Sequence, residues 1–204
     1  MTQNPTTKPQ LRAHLRQALT AIPPADRAER SAKACDNAAA LPLFTAATTI
    51  LTYLTAADAH HPNQPAELDT ARLNRLATDA GKALAAPHID WAARTMSPRL
   101  LTPDFPPAVR RHAIPEPPEA APLIPLEDID LVIVPALAFD RHRNRLGRGA
   151  GFYDRFLHAA ADLPNPPATL GLAFHEQLLN RLPTDPHDQP VNALATDQTT
   201  ITAP

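Results

Sequence analysis

DIDLVIVPALAFDRHRNRLGRGAGFYDRFL, residues 128–157, changes character three times, and those changes decide how the rest of the chain is read. Leu131, Val132, Ile133 and Val134 run without a polar interruption up to Pro135, the pattern of a strand covered on both faces of a parallel sheet. Arg141, Arg143, Arg145 and Arg148 then crowd a short loop in which Gly147, Gly149 and Gly151 alternate, three of the 5 glycines in the chain. Phe152-Tyr153-Asp154-Arg155 follows at once and opens a helix that continues through Phe156 and Leu157. Residues without a Cβ let backbone N–H groups converge, and converging donors at a helix start suit a phosphate. The arginines add charge that does not titrate away. Gly-x-Gly-x-Gly lacks both the Gly-Lys-Ser/Thr of a P-loop and the wider third spacing of a dinucleotide fingerprint, so on its own a solvated turn explains it at least as well.

Working outward, Leu11, Leu15, Ala18, Leu19 and Ile22 fall at helical spacing and predict a first helix closed by Pro23-Pro24. Asp26 with Glu29 reads as a capping pair ahead of a second helix to about Leu41. Residues 48–54 read as a β-branched strand, Leu73 to Ala80 as a helix capped by Gly81, and 82–87 as a returning strand. Strand, helix, strand is a crossover unit, which predicts a parallel sheet. Residues 91–102 suggest an antiparallel edge pair, and the 8 prolines between 103 and 125 a long loop, either lid or linker. Residues 168–174 and 191–197 read as further strands, separated by a helical turn at 175–177, with 1–7 and 198–204 as frayed tails. The expected architecture is one three-layer α/β domain over 1–204 with a mainly parallel, Rossmann-like sheet flanked by helices.

At 204 residues and a formal charge of −2, no global field favours nucleic acid or a membrane, and phosphate binding has to come from the local arginines. Cys35 is the only cysteine, so an intramolecular disulfide is excluded, and its helical setting suggests a packed thiol. Neither a zinc spacing nor an apolar leader is present, and no run is long enough to span a bilayer, so the expectation is a cytoplasmic protein with no membrane or nucleic-acid partner. The adjacent His60 and His61 are read as solvated loop residues.

Read whole, RLGRGAGFYDRFL after VPALAFD resembles the signature of the 5-formyltetrahydrofolate cyclo-ligase (methenyltetrahydrofolate synthetase) family. The likeness continues in order from Lys8 and Arg12, through Ile114-Pro115-Glu116-Pro117, to His187-Asp188 and a strand ending in Thr196-Asp197. It implies closure of 5-formyltetrahydrofolate to 5,10-methenyltetrahydrofolate with ATP and Mg²⁺, by a monomer whose partner is the small-molecule folate. By the same resemblance Lys8, Arg12, Arg145, Leu146, Gly147, Arg148, Gly149, Ala150, Gly151, Phe152 and Tyr153 would meet ATP. Leu54, Glu67, Phe152 and Tyr153 would meet folate, Arg148 and Tyr153 would serve the chemistry, and Asp154 and Asp188 would hold the metal.

Plainer roles exist for the carboxylates: Asp154 and Glu67 as helix-start residues favoured by the dipole, Asp188 as a turn residue. Ala150 stands where many family members carry Lys or Gly, Phe152 where tyrosine is common, and the loop before Glu67 is longer than usual. Three other readings stay open. One is a divergent paralogue that binds folate or nucleotide without turnover. Another is a sugar-phosphate or acyl-transfer enzyme on a similar architecture. The last, a nucleic-acid binder using the 141–155 arginines, is disfavoured by Asp140 and Asp154 within the same stretch.

Overall fold

The computed structural model describes residues 7–55, 67–109, 115–185 and 188–203. Helix α1 (Lys8–Thr20) starts behind a capping box, with the Thr7 hydroxyl accepting the Gln10 N–H at 3.4 Å and the Gln10 side chain accepting the Thr7 N–H at 3.3 Å. Thr7 is therefore an anchor and not part of a frayed tail. Helix α2 (Pro24–Ala39) begins earlier than the Asp26 capping pair suggested: Pro24 occupies the first helical position, where its fixed φ fits and its missing N–H costs nothing. Asp26 lies inside the first turn. A short α3 (Pro42–Ala46) leads into β1 (Thr49–Leu51), and α4 (Ala71–Asp79) lies between β1 and β2 (Ala83–Asp90).

Strand β3 (Thr95–Leu100) returns antiparallel to β2, so the edge pair expected within 91–102 is formed by 83–90 and 95–100, with 91–94 as the turn. Within the proline-rich stretch, β4 (Ala108–Val109) pairs with β5 (Pro115–Glu116), and Leu123 bridges to Arg99. The stretch is thus tied to the hairpin and is more than a loop. Then come β6 (Leu131–Val134), β7 (Ala138–Asp140), β8 (Arg145–Leu146), α5 (Phe152–Ala161) and β9 (Ala168–Ala173). The chain finishes with β10 (Leu178–Leu179), β11 (Ala193–Thr196) and β12 (Thr200–Thr202). The last strand corrects the expected tail from 198: Ile201 sits opposite Leu194 in an antiparallel pair. His60, His61, Ile114 and His187 lie outside the described residues.

The main sheet runs β12-β11-β9-β6-β1-β2-β3, with β11, β9, β6, β1 and β2 parallel and an antiparallel strand at each edge. Side-chain alternation divides it into two cores. Ile50, Leu131, Ile133, Leu170 and Leu172 pack with Leu15, Ala38, Phe44 and Leu73 from α1 to α4, while Leu51, Val132, Val134 and Leu194 pack with Phe156 and Leu157 of α5. All four residues of β6 are fully buried, which explains the unbroken apolar run; each such side chain contributes about 1.5–3 kcal/mol by leaving water. Among the described residues no helix is long and apolar enough to cross a membrane.

Gly171 sits where β9 passes under the Phe139 ring, and a Cβ there would lie 2.6 Å from two ring carbons and 3.0 Å from Leu194 Cδ1. Phe139 is wholly buried and cannot swing aside. Gly171→Ala should therefore cost about 1–3 kcal/mol and lower the melting temperature by roughly 2–4 °C per kcal/mol. A thermal melt showing no loss would mean that this packing is looser than described.

Candidate active site

Order β2-β1-β6-β9-β11 means that the winding of the sheet reverses between β1 and β6. At such a reversal the crossovers leave in opposite directions, so a crevice opens at the carboxyl ends of the two strands. Here it is lined by Tyr53 beyond β1, Pro135 and Leu137 beyond β6, Glu67, Arg148 and Gln177. Each wall is fastened. The Tyr53 hydroxyl donates to Leu68 O at 3.1 Å and Thr70 Oγ1 donates to Tyr53 O at 2.7 Å, which holds the backbone beside Glu67. Gln177 Nε2 donates to Ala136 O and Leu137 O at 2.9 and 3.2 Å, fixing the exit from β6.

The hairpin of β7 and β8 carries the arginine loop and is organised by Asp140, which is completely buried. Its Oδ1 accepts the N–H groups of His142 and Asn144, both at 2.9 Å, and its Oδ2 accepts Asn144 Nδ2 at 3.0 Å and Leu182 N–H at 2.9 Å. Four donors satisfy the carboxylate and set the direction in which Arg145 and the glycines leave the strand. The bond from Asp140 to the N–H two residues on is a local pattern, whereas its contact with Leu182 is not.

Gly149 and Gly151 have φ of +105° and +73°, values that residues with a Cβ rarely adopt. Carbonyls of this loop are held by guanidinium groups from outside it. Arg12 Nε donates to Gly147 O at 3.0 Å, while Arg94 Nη2 and Arg155 Nη2 donate to Ala150 O at 3.2 and 3.3 Å. Gly151 is the N-cap of α5 and no side chain caps that helix, so its first amides and positive dipole end face the loop. Of Leu146, the side chain is in the core and the carbonyl accepts the Leu137 N–H at 2.8 Å, so neither faces the loop.

Every cation expected at phosphate is close to a carboxylate or a backbone carbonyl. Lys8 Nζ is 2.6 Å from Asp185 and 2.9 Å from Asp188, Arg148 is 2.8 Å from Glu67, and Arg145 pairs with Asp154. Arg145, Asp154, Arg155 and Asp188 line a second recess. The two carboxylates assigned to metal thus share a recess with Arg145, and one of them, Asp188, also holds Lys8. Burial raises the Glu67 carboxyl above its ordinary value, with Arg148 opposing it. Burial, assisted by the Glu67 charge, also pushes the Tyr153 phenol up, so it stays protonated at neutral pH.

Two buried polar atoms flank the glycine loop without a hydrogen-bond partner among the described residues: the Tyr153 hydroxyl and Arg145 Nε. Phe152 packs edge-on against Trp91, with centroids 5.1 Å apart, and lies under the Arg155 guanidinium. Leu54 is half-buried three residues beyond β1. Trp91, Arg94 and Asp185 escaped the sequence reading because each is brought in by a turn remote from the signature.

A sequence profile of the 5-formyltetrahydrofolate cyclo-ligase family matches residues 4–197. The 5-formyltetrahydrofolate cyclo-ligase of Escherichia coli (strain K12) is 29% identical over 184 residues, 89% of this chain and 96% of that protein. Those of Mycolicibacterium smegmatis and mouse are each 43% identical, over stretches covering 43% and 31% of this chain and only 44% and 32% of their own lengths. Among solved structures, the NMR structure of Aquifex aeolicus 5,10-methenyltetrahydrofolate synthetase superposes with a TM-score of 0.78 at 26% identity, over 96% of this chain and 92% of that one. The 5,10-methenyltetrahydrofolate synthetase of Mycoplasma pneumoniae shares the fold, at a TM-score of 0.71 and 18% identity, over 94% of this chain and 99% of that one. Since the profile takes in the N-terminal lysine, the switch-point crevice, the glycine loop and the last parallel strand together, the chain belongs to the 5-formyltetrahydrofolate cyclo-ligase family.

Proposed function

We propose that the protein catalyses the ATP- and Mg²⁺-dependent cyclisation of 5-formyltetrahydrofolate to 5,10-methenyltetrahydrofolate, with release of ADP and phosphate. The formyl oxygen on N5 attacks the γ-phosphorus of ATP and ADP departs, leaving a phosphorylated formyl group. N10 then attacks the activated carbon and gives up its proton, and the C–O bond breaks to expel phosphate, which carries that proton away as hydrogenphosphate. An amide-like oxygen is a poor leaving group and a phosphate a good one, so the nucleotide supplies what the amide lacks. Such a transfer asks the protein for positioning and charge, not covalent chemistry.

In this reading the amides of residues 147–151 cradle the phosphates, and Lys8, Arg12, Arg145 and Arg148 surround them. Glu67, Leu54, Phe152 and Tyr153 border the folate in and beside the switch-point crevice. Two carboxylates in one neighbourhood, completed by phosphate oxygens and water, are a donor set of the kind Mg²⁺ takes, so Asp154 and Asp188 would hold it. Bound there, the ion would neutralise phosphate charge. The chain's own residues do the remainder: Arg148 is set at the Glu67 side of the loop, where the formyl group would enter, and Tyr153 donates its hydrogen bond there.

The observation that carries this reading is the pair of buried donors, Arg145 Nε and the Tyr153 hydroxyl, left without partners among the described residues beside a glycine loop. A buried polar group without a partner is costly, and a ligand with oxygens on each side of a phosphate-type loop would give both donors one.

Mixing the purified protein with Mg-ATP and 5-formyltetrahydrofolate should raise methenyltetrahydrofolate absorbance with one ADP formed per product. Folate binding without product would favour the non-catalytic paralogue, and product without ATP a different reaction. Lys8→Met should leave the melting temperature nearly unchanged, since partly exposed ion pairs contribute about 0–1 kcal/mol. It should nonetheless raise KM for ATP about 10- to 100-fold, the loss of one hydrogen bond to a charged group. For Tyr153→Phe the signs separate. Removing an unsatisfied hydroxyl should hold or slightly raise the melting temperature, while kcat/KM for the folate falls at least about tenfold. A stability loss with unchanged kinetics would assign that hydroxyl to packing.

A further inference from the structure

The turn joining β2 to β3 reaches the glycine loop from the β3 edge of the sheet, and the proposed chemistry makes no use of it. Asp90 Oδ1 accepts the N–H groups of Ala92 and Ala93, both at 2.9 Å, which closes the turn tightly. Below it, Ile89 N–H donates to the buried Glu116 Oε2 at 3.0 Å, tying the strand end to β5. Arg94 completes the turn with φ at +57°, a left-handed backbone that a side chain disfavours. From that position its Nη2 donates to Ala150 O at 3.2 Å, and its own carbonyl accepts Arg155 Nε at 2.9 Å. Arg155 Nη2 donates to the same Ala150 carbonyl at 3.3 Å, and Trp91 meets the next aromatic along, Phe152.

Two guanidinium groups therefore converge on one loop carbonyl, and one of them is itself steered by the backbone of Arg94. In a trans peptide the C=O and N–H of one unit point in opposite directions. Holding the Ala150 oxygen toward Arg94 and Arg155 accordingly turns the Gly151 N–H away from them. That peptide unit ends at Gly151, a positive-φ glycine without a Cβ to hinder its rotation. We infer that Arg94 is a positioning residue for nucleotide: it fixes the orientation of the 150–151 peptide, and with it the amide that the loop offers to phosphate. The inference rests on the nucleotide role proposed for the loop and adds to it an element from outside the signature. Arg94 touches neither reactant, so its effect is on how well the loop is preformed for ATP.

Arg94→Gly separates positioning from stability. Glycine accepts the left-handed backbone more readily than arginine does, and the carbonyl that steers Arg155 is kept, so the turn survives while the side-chain donor is lost. In titration calorimetry with Mg-ADP, this variant should bind roughly tenfold more weakly than the unmodified protein, the loss of one charge-assisted hydrogen bond. Its melting temperature should hold or rise. In steady-state assays KM for ATP should rise with kcat at saturating ATP within about twofold and KM for the folate unchanged, the split expected when binding geometry alone is affected. Arg94→Lys, which restores a cationic donor of similar reach, should recover most of the affinity. Unchanged Mg-ADP affinity in the glycine variant, or weakened binding that follows a fall in melting temperature in both variants, overturns the inference. An unmodified protein that takes up no Mg-ADP overturns the nucleotide role itself, a separate result.

Discussion

Where β1 and β6 lie side by side the sheet reverses its winding, and no crossover can cover both carboxyl ends at once. The site follows from that constraint. Strand β6 is buried on both faces and cannot move, so its exit at Pro135 is a fixed origin from which β7, the Asp140-centred turn, β8 and the glycine loop are laid out in sequence. Gln177 fastens the exit from below and Tyr53 holds the opposite wall. Four converging donors make the Asp140 turn rigid enough to aim the arginines without a helix or a long strand beneath them. The loop that would do the chemistry is therefore short, but it springs from the most deeply buried part of the molecule.

Charge is handled by local neutralisation. Lys8, Arg145 and Arg148 are all near the loop, and bare cations a few ångströms apart would repel by about 4 kcal/mol per pair at 4 Å near a protein surface. Each instead leans on a carboxylate: Asp185 and Asp188, Asp154, and Glu67. On the proposed function, ligand binding then exchanges partners instead of creating charge interactions from nothing. Of the carboxylates released by the cations, Asp154 and Asp188 are those assigned to Mg²⁺, and the cations released are among those assigned to phosphate. Either exchange alone would strand a charge in a partly buried setting, which favours the metal and the nucleotide arriving together.

The architecture was legible where one residue type dominates a stretch. The Leu131–Val134 run and the strand-helix-strand order each follow from local chemistry, and each stands in the structure as read. What escaped was set by contacts across the chain. Asp185 meets Lys8 across 177 positions and Arg94 meets Ala150 across 56, and no periodicity reports either. Thr200 to Thr202 looked like a tail because a short edge strand is polar outward and declares itself only when its partner β11 is known. Pro23-Pro24 was taken as a stop for α1, though its second proline is also the start of α2; proline ends one helix and nucleates the next for the same reason, its locked φ. Leu146 was placed among ligand contacts by its position in the signature, whereas alternation along β8 turns it into the core.

The same distinction between side chain and backbone bears on Ala150, where many family members carry Lys or Gly. Its neighbours Gly149 and Gly151 take positive φ, and substitution at either is strained whatever the space around it. Ala150 itself is not among the positive-φ residues, and its side chain is exposed, so the fold asks little of it beyond a carbonyl. That carbonyl is gripped by Arg94 and Arg155. A loop whose orientation is imposed through its main chain can exchange one side chain without losing shape, provided that the outside anchors remain. Cationic character near position 150 then comes from the hairpin and from α5 as well as from Arg148 within the loop. By this logic the residues to watch in comparing such loops are the two glycines and the distant guanidinium groups, more than the residue between them.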